Sequence, residues 1–84
     1  MDDIQQTITI MKDNTLLKII GQRIVNIRNQ KNISQEKLAE LSDLHRTYIS
    51  DVENGKRNLT ISVLYRICCG LNISLSQLLK GIKK

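Results

Sequence analysis

Arg46, Thr47, Ser50 and Asp51 fall within one short span, and Lys56, Arg57 and Asn58 follow it directly. Each of the first four has a use at the edge of a base pair. An arginine guanidinium donates two parallel hydrogen bonds that match guanine O6 and N7, and a threonine offers a hydroxyl with a methyl that suits thymine. Serine can serve either purpose. The Asp51 carboxylate can accept from a cytosine amino group, although beside phosphates it repels. Lys56, Arg57 and Asn58 suit the phosphate backbone, as does Gln35 near the positive end of a helix. Other chemistries are poorly supplied. His45 is the single histidine and has no companion ligands for a metal. The chain holds no Ser-His-Asp constellation, no metal-ligand cluster and no phosphate-cradling glycine loop, so neither an enzyme nor a cofactor is expected.

Such residues read a surface together only if a helix carries them on one side. Counting about 100° per residue from Arg46, Ile49 falls at about 300° and Val52 at about 240°, so the buried direction lies near about 270°. Arg46, Ser50, Thr47 and Asp51 fall at about 0°, 40°, 100° and 140°, one outward strip flanked by Tyr48 at about 200°. Any surface helix turns polar residues outward, so the company of this one matters more than its face. Ser42, Asp43 and Leu44 are its whole link to the preceding helix, a length that fits the steep crossing of a helix-turn-helix. Ala39, one turn earlier, is small enough to let the next helix approach. Leu38, Leu41, Leu44, Ile49 and Val52 make a local core.

The rest of the chain supplies the frame. Leu16, Ile20, Ile24 and Ile27 recur at helical spacing between polar residues, which predicts a helix from Asn14 or Thr15 to about Gln30. Gly21 in its middle costs about 1 kcal/mol against Ala, and Lys31-Asn32 supply its stop. Ser34, Thr60 and Ser74 each precede a helical run and can cap it, Ser74 with Gln77 at capping-box spacing. Gly55 and Gly70 are expected to close the helices before them, and Gly81 the last. The expectation is an all-α, compact five-helix domain over residues 14–84. Residues 1–13 are expected to form a flexible or partly ordered leader: Ile8 and Ile10 alternate as in a strand, while Ile4, Ile8 and Met11 fit a helix. Met11 is a candidate alternative start.

Composition sets outer bounds. A chain of 84 residues is one small domain with a modest core. Cys68 and Cys69 are adjacent, which fits neither a disulfide framework nor a zinc site, and reads as two small apolar residues in a reducing cytosol. No apolar run approaches the roughly 20 residues of a membrane span, and there is no signal peptide, so a cytoplasmic protein is expected. The formal charge of +5 is uneven. One Lys against three Asp leaves residues 1–13 at −2, and twelve cations against five anions leave residues 14–84 at +7. A basic domain suits a polyanion, though charge alone fits many small proteins.

The string Gln35-x3-Ala39-x3-Asp43-Leu44-x3-Tyr48-Ile49-Ser50-x2-Glu53-x-Gly55 resembles the helix-turn-helix of phage repressor and Cro-type regulators, over about residues 16–80. The narrower string His45 to Thr60 is similar to the controller proteins of type II restriction–modification systems, small homodimers that bind palindromic operators and time endonuclease expression. The resemblance implies base contacts from Arg46 and Thr47, and places Tyr48, Ser50, Arg57 and Asn58 at or near the backbone. It implies dimerisation through the C-terminal helices, with Leu75, Leu78, Leu79 and Ile82 as candidates, and a structural ion pair between Arg28 and Glu53. Two departures stand out: Asp43 occupies the turn position where relatives often have Gly, and His45 stands where Ser or Thr would cap the third helix.

The leading expectation is therefore a dimeric regulator reading double-stranded DNA, with RNA polymerase as a further candidate partner. A phage-type repressor or antitoxin-like regulator would use the same surface. A protein-binding module would keep the fold and use its C-terminal helices instead.

Overall fold

The computed structural model describes residues 14–82. All of their regular structure is helical: α1 Asn14–Gln30, α2 Gln35–Ser42, α3 Arg46–Glu53, α4 Ile61–Leu71 and α5 Leu75–Leu79. The leader lies outside the described residues, and so does the strand-or-helix question attached to it. No helix among the described residues is long and apolar enough to cross a membrane.

The starts of the helices follow the hydroxyl residues. Ser34 Oγ accepts from Lys37 N at 2.9 Å and Thr60 Oγ1 from Val63 N at 3.1 Å. Ser74 and Gln77 exchange bonds of 3.0 and 2.8 Å in a full capping box. His45 makes no side-chain cap for α3.

The ends share one device. After each of α1 to α4 the chain passes through the left-handed region, at Asn32 (φ 58°), Asp43 (φ 57°), Gly55 (φ 71°) and Asn72 (φ 59°). Each of these donates three residues back, and its successor donates five back: Ile33 to Arg28, Leu44 to Ala39, Lys56 to Asp51 and Ile73 to Cys68. This paired closure satisfies the last carbonyls and turns the chain sharply. Three of the successors, Ile33, Leu44 and Ile73, pack on the core. The fourth, Lys56, is exposed and basic.

Two glycine expectations change. Gly70 does not close α4; it lies within it, and Asn72 closes it instead. The reason is contact: a Cβ on Gly70 would meet Ser42 Oγ at 2.6 Å and Leu38 Cδ1 at 3.1 Å, so α4 runs against α2 at this point. Gly21, a mere helix weakness from sequence, faces the backbone of α3, where a Cβ would lie 2.5 Å from Val52 O and 2.6 Å from Glu53 O.

Every helix contributes to one core: Ile20 and Ile24 from α1, Leu38 and Ala39 from α2, Ile49 and Val52 from α3, Leu64, Ile67, Cys68 and Leu71 from α4, and Leu78 from α5. Fully burying such a side chain stabilises by about 1.5–3 kcal/mol relative to exposure. Leu41 does not belong to it. It is 48% exposed, because α2 turns Leu38, Ala39 and Ser42 inward and leaves Leu41 at the rim. Leu16 likewise is 37% exposed at the start of α1. Burial, with Cys69 alongside, pushes the Cys68 thiol above its ordinary range. A hydrogen bond with the exposed Cys69 raises the Tyr65 phenol in the same direction.

Candidate nucleic-acid interface

The site begins with a buried carboxylate. Glu53, at the end of α3, accepts from Arg28 Nε at 2.7 Å, from a terminal nitrogen of Arg28 at 3.2 Å and from Gln35 Nε2 at 2.8 Å. Arg28 also donates to Ile33 O at 2.8 Å, so one guanidinium joins α1, the turn after it and α3. A buried charge left unpaired is strongly unfavourable, and here the fork geometry satisfies both oxygens. Glu53 and Arg28 therefore belong to the scaffold. From Gln35 the chain of bonds continues outward, since its Oε1 accepts from an Arg46 terminal nitrogen at 3.2 Å. The exposed arginine at the first turn of α3 is thus tied, through one amide, to the buried ion pair.

The outward strip is graded in depth. Arg46 and Thr47 are exposed, whereas Ser50, Asp51 and Tyr48 are half-buried. Asp51 Oδ2 lies 3.4 Å from Arg57 Nε, and the Arg57 guanidinium sits over the Tyr48 ring, 4.7 Å from its centroid. Lys56, Arg57 and Asn58 are exposed at the C-terminal end of α3, opposite the end that carries Arg46. Gln35 is half-buried, with one donor committed to Glu53.

Two further arginines fasten the frame, Arg66 at the turn before α3 and Arg23 at α5. Arg66 of α4 donates to Ser42 O at 3.2 Å and to Asp43 O, and lies 3.6 Å from the Asp43 carboxylate. It clamps the turn between α2 and α3 at the left-handed Asp43. Arg23 of α1 donates to Leu78 O at 3.0 Å and to Lys80 O, fastening the short α5. An arginine at a helix end can satisfy the last carbonyls, but the partners are some 23 to 57 residues away in sequence, too distant for a pattern to show.

The candidate dimer residues divide. Leu78 is fully buried within the protomer and supports the face from behind, whereas Leu75, Leu79 and Ile82 are partly buried. Leu79 and Ile82 line an apolar groove of about 570 Å³ with Leu16, Leu17, Ile20 and Leu59. Ile61, 67% exposed, stands at its edge. Among the described residues no group of His, Cys, Asp and Glu could hold a metal.

Known proteins resemble this chain in sequence and in fold. The sequence profile of the helix-turn-helix family matches residues 24–78. The control protein C.SmaI of Serratia marcescens is 46% identical over 68 residues, which span 79% of this chain and 81% of that protein. The crystal structure of the restriction-modification controller protein C.AhdI from Aeromonas hydrophila superposes with a TM-score of 0.72 at 39% identity, over 74% of this chain and 94% of that one. The controller protein C.Esp1396I, as a tetramer on its natural 35 base-pair operator, gives a TM-score of 0.75 at 42% identity, over 79% and 87%.

Proposed function

The chain belongs to the helix-turn-helix family and, within it, to the control proteins of restriction–modification systems; from that premise we propose that it binds a palindromic operator as a homodimer and regulates transcription of a restriction–modification operon. The observation that supports this reading is the exposed Arg46–Thr47 pair on the first turn of α3, with Arg46 tied to the Gln35–Glu53–Arg28 chain. Arg46 takes a guanine edge, Thr47 a thymine, and Ser50 a base beside them. Gln35, Tyr48, Lys56, Arg57 and Asn58 take phosphates and fix the register.

The second copy docks through the C-terminal face. Leu75, Leu79 and Ile82 are partly buried apolar residues, and Leu79 and Ile82 line the apolar groove, which supports a contact of the self-matching kind that a two-fold dimer needs. The dimer presents two α3 helices to half-sites about 34–36 Å apart, or multiples of that. Bound at a cytoplasmic promoter, it acts on RNA polymerase as recruiter or as obstacle. Selection of duplexes from a randomised pool tests the reading. The expected product is one symmetric sequence whose half-sites have that spacing. Recovery of no sequence, or of an asymmetric one, would overturn it.

A further inference from the structure

Asp51 is the one acidic member of the reading strip, and a carboxylate beside phosphates is a liability unless something nearby uses it. Its surroundings show what does. Asp51 Oδ2 faces Arg57 Nε at 3.4 Å, and the Tyr48 ring lies 4.7 Å from the same guanidinium. Two side chains of α3 thus grip one side chain from the loop that follows. Asp51 takes the Nε edge and Tyr48 takes a face. Among the described residues the two terminal nitrogens of Arg57 have no hydrogen-bond partner. The free end-on edge is the one whose paired N–H groups match a phosphate bidentately. The loop is anchored at the same residue, since Lys56 N donates to Asp51 O at 2.9 Å.

We propose that Asp51 is a positioning residue for Arg57: its carboxylate and the Tyr48 ring together hold the guanidinium with its end-on edge turned toward a DNA phosphate. The inference deepens the proposed function and rests on it. An unheld arginine loses rotamer freedom when it binds, a loss of roughly two- to tenfold in affinity. A surface ion pair and an exposed cation–π contact are each weak, so together they orient the side chain without trapping it. Asp51 also repels the duplex as a whole. That repulsion is present with or without Arg57, so a double-mutant cycle removes it from the comparison.

The cycle consists of wild type, Asp51→Asn, Arg57→Ala and the double variant, each checked for unchanged thermal midpoint. Dissociation constants are measured on a random-sequence duplex and on the selected operator at one salt concentration. The expected result is that Arg57→Ala weakens binding about tenfold in the wild-type background and about three times less in the Asp51→Asn background. The coupling should be alike on both duplexes, because phosphates carry no sequence. Arg57→Lys, which keeps the charge without the Nε edge or the planar stack, should make binding insensitive to Asp51→Asn apart from the uniform repulsion. Equal or greater loss from Arg57→Ala in the Asp51→Asn background would overturn the proposal, with the carboxylate a bystander or a competitor. So would an Asp51→Asn defect confined to the operator, which would make Asp51 a base reader. A wild type with no preference for any duplex would sink the operator reading, whereas the coupling measured on the random duplex decides this inference separately.

Discussion

Glu53 joins the scaffold to the reading face, because three hydrogen bonds converge on it and one leads by way of Gln35 to Arg46. Removing one partner of a buried ion pair strands the other, and the expected loss for Glu53→Ala is about 3–5 kcal/mol of folding stability by urea titration. Glu53→Gln keeps acceptor capacity and should lose less. A variant at Glu53 that left stability untouched would remove this residue from the scaffold. The cysteines give a second residue-level outcome. Cys69 is exposed, while Cys68 is buried with its thiol pushed upward, so a thiolate-specific reagent should label one thiol in the folded protein and both after unfolding. Prompt labelling of both in the folded state would contradict the packing of α4. At this scale much was legible: Arg46, Thr47 and the basic run stand where their spacing puts them. The partners of Asp51, Arg23 and Arg66 were not legible, because a long side chain chooses its partner only after the helices have packed.

The elements show where sequence pattern informs and where it falls short. Helix starts were readable because Ser34, Thr60 and Ser74 cap through bonds within three residues. The end of α1, legible at Asn32, is repeated at the end of α4: Asn-Ile-Ser stands at residues 32–34 and again at 72–74, where Asn turns left-handed, Ile packs on the core and Ser opens the next helix. With that repeat in view, Asn72 rather than Gly70 is the natural end of α4. Leu41 misled for a related reason. Apolar spacing marks a stripe but not its edge, and a short helix such as α2 buries only part of the stripe. Close backbone approach leaves no pattern at all. Gly21→Ala would force a methyl against two carbonyl oxygens of α3, which no side-chain rotation can relieve. Overpacking of this kind costs about 1–3 kcal/mol. The variant should melt lower and, because α3 must shift, should bind the operator more weakly than its remaining folded fraction accounts for. Unchanged melting would show that α1 and α3 are not in contact at that point.

The molecule as a whole presents an exposed polar strip on α3 with the basic Lys56 and Arg57 just beyond it, and an apolar groove beside α5. The dimer proposal draws on the second of these. Leu79→Glu or Ile82→Glu places charge on the groove without touching Leu78 in the core, and sedimentation should then find a monomer. Operator affinity should drop steeply, since each protomer would hold only one half-site. A dimer that survives both substitutions would move the interface elsewhere. The fold class and five-helix order were visible in periodicity and caps, and the outward polar strip of α3 in one helical wheel. The apolar groove was not, since it joins Leu16, Leu59 and Ile82, far apart in sequence and adjacent only when the helices close. The most direct measurement of the central claim, that the outward turn of α3 reads bases, is the binding of Arg46→Ala to the selected operator and to a random duplex at matched salt. The expected result is a loss of about 1–3 kcal/mol on the operator and a narrowed ratio between the two duplexes. Equal losses on both would make Arg46 a phosphate contact and contradict the account.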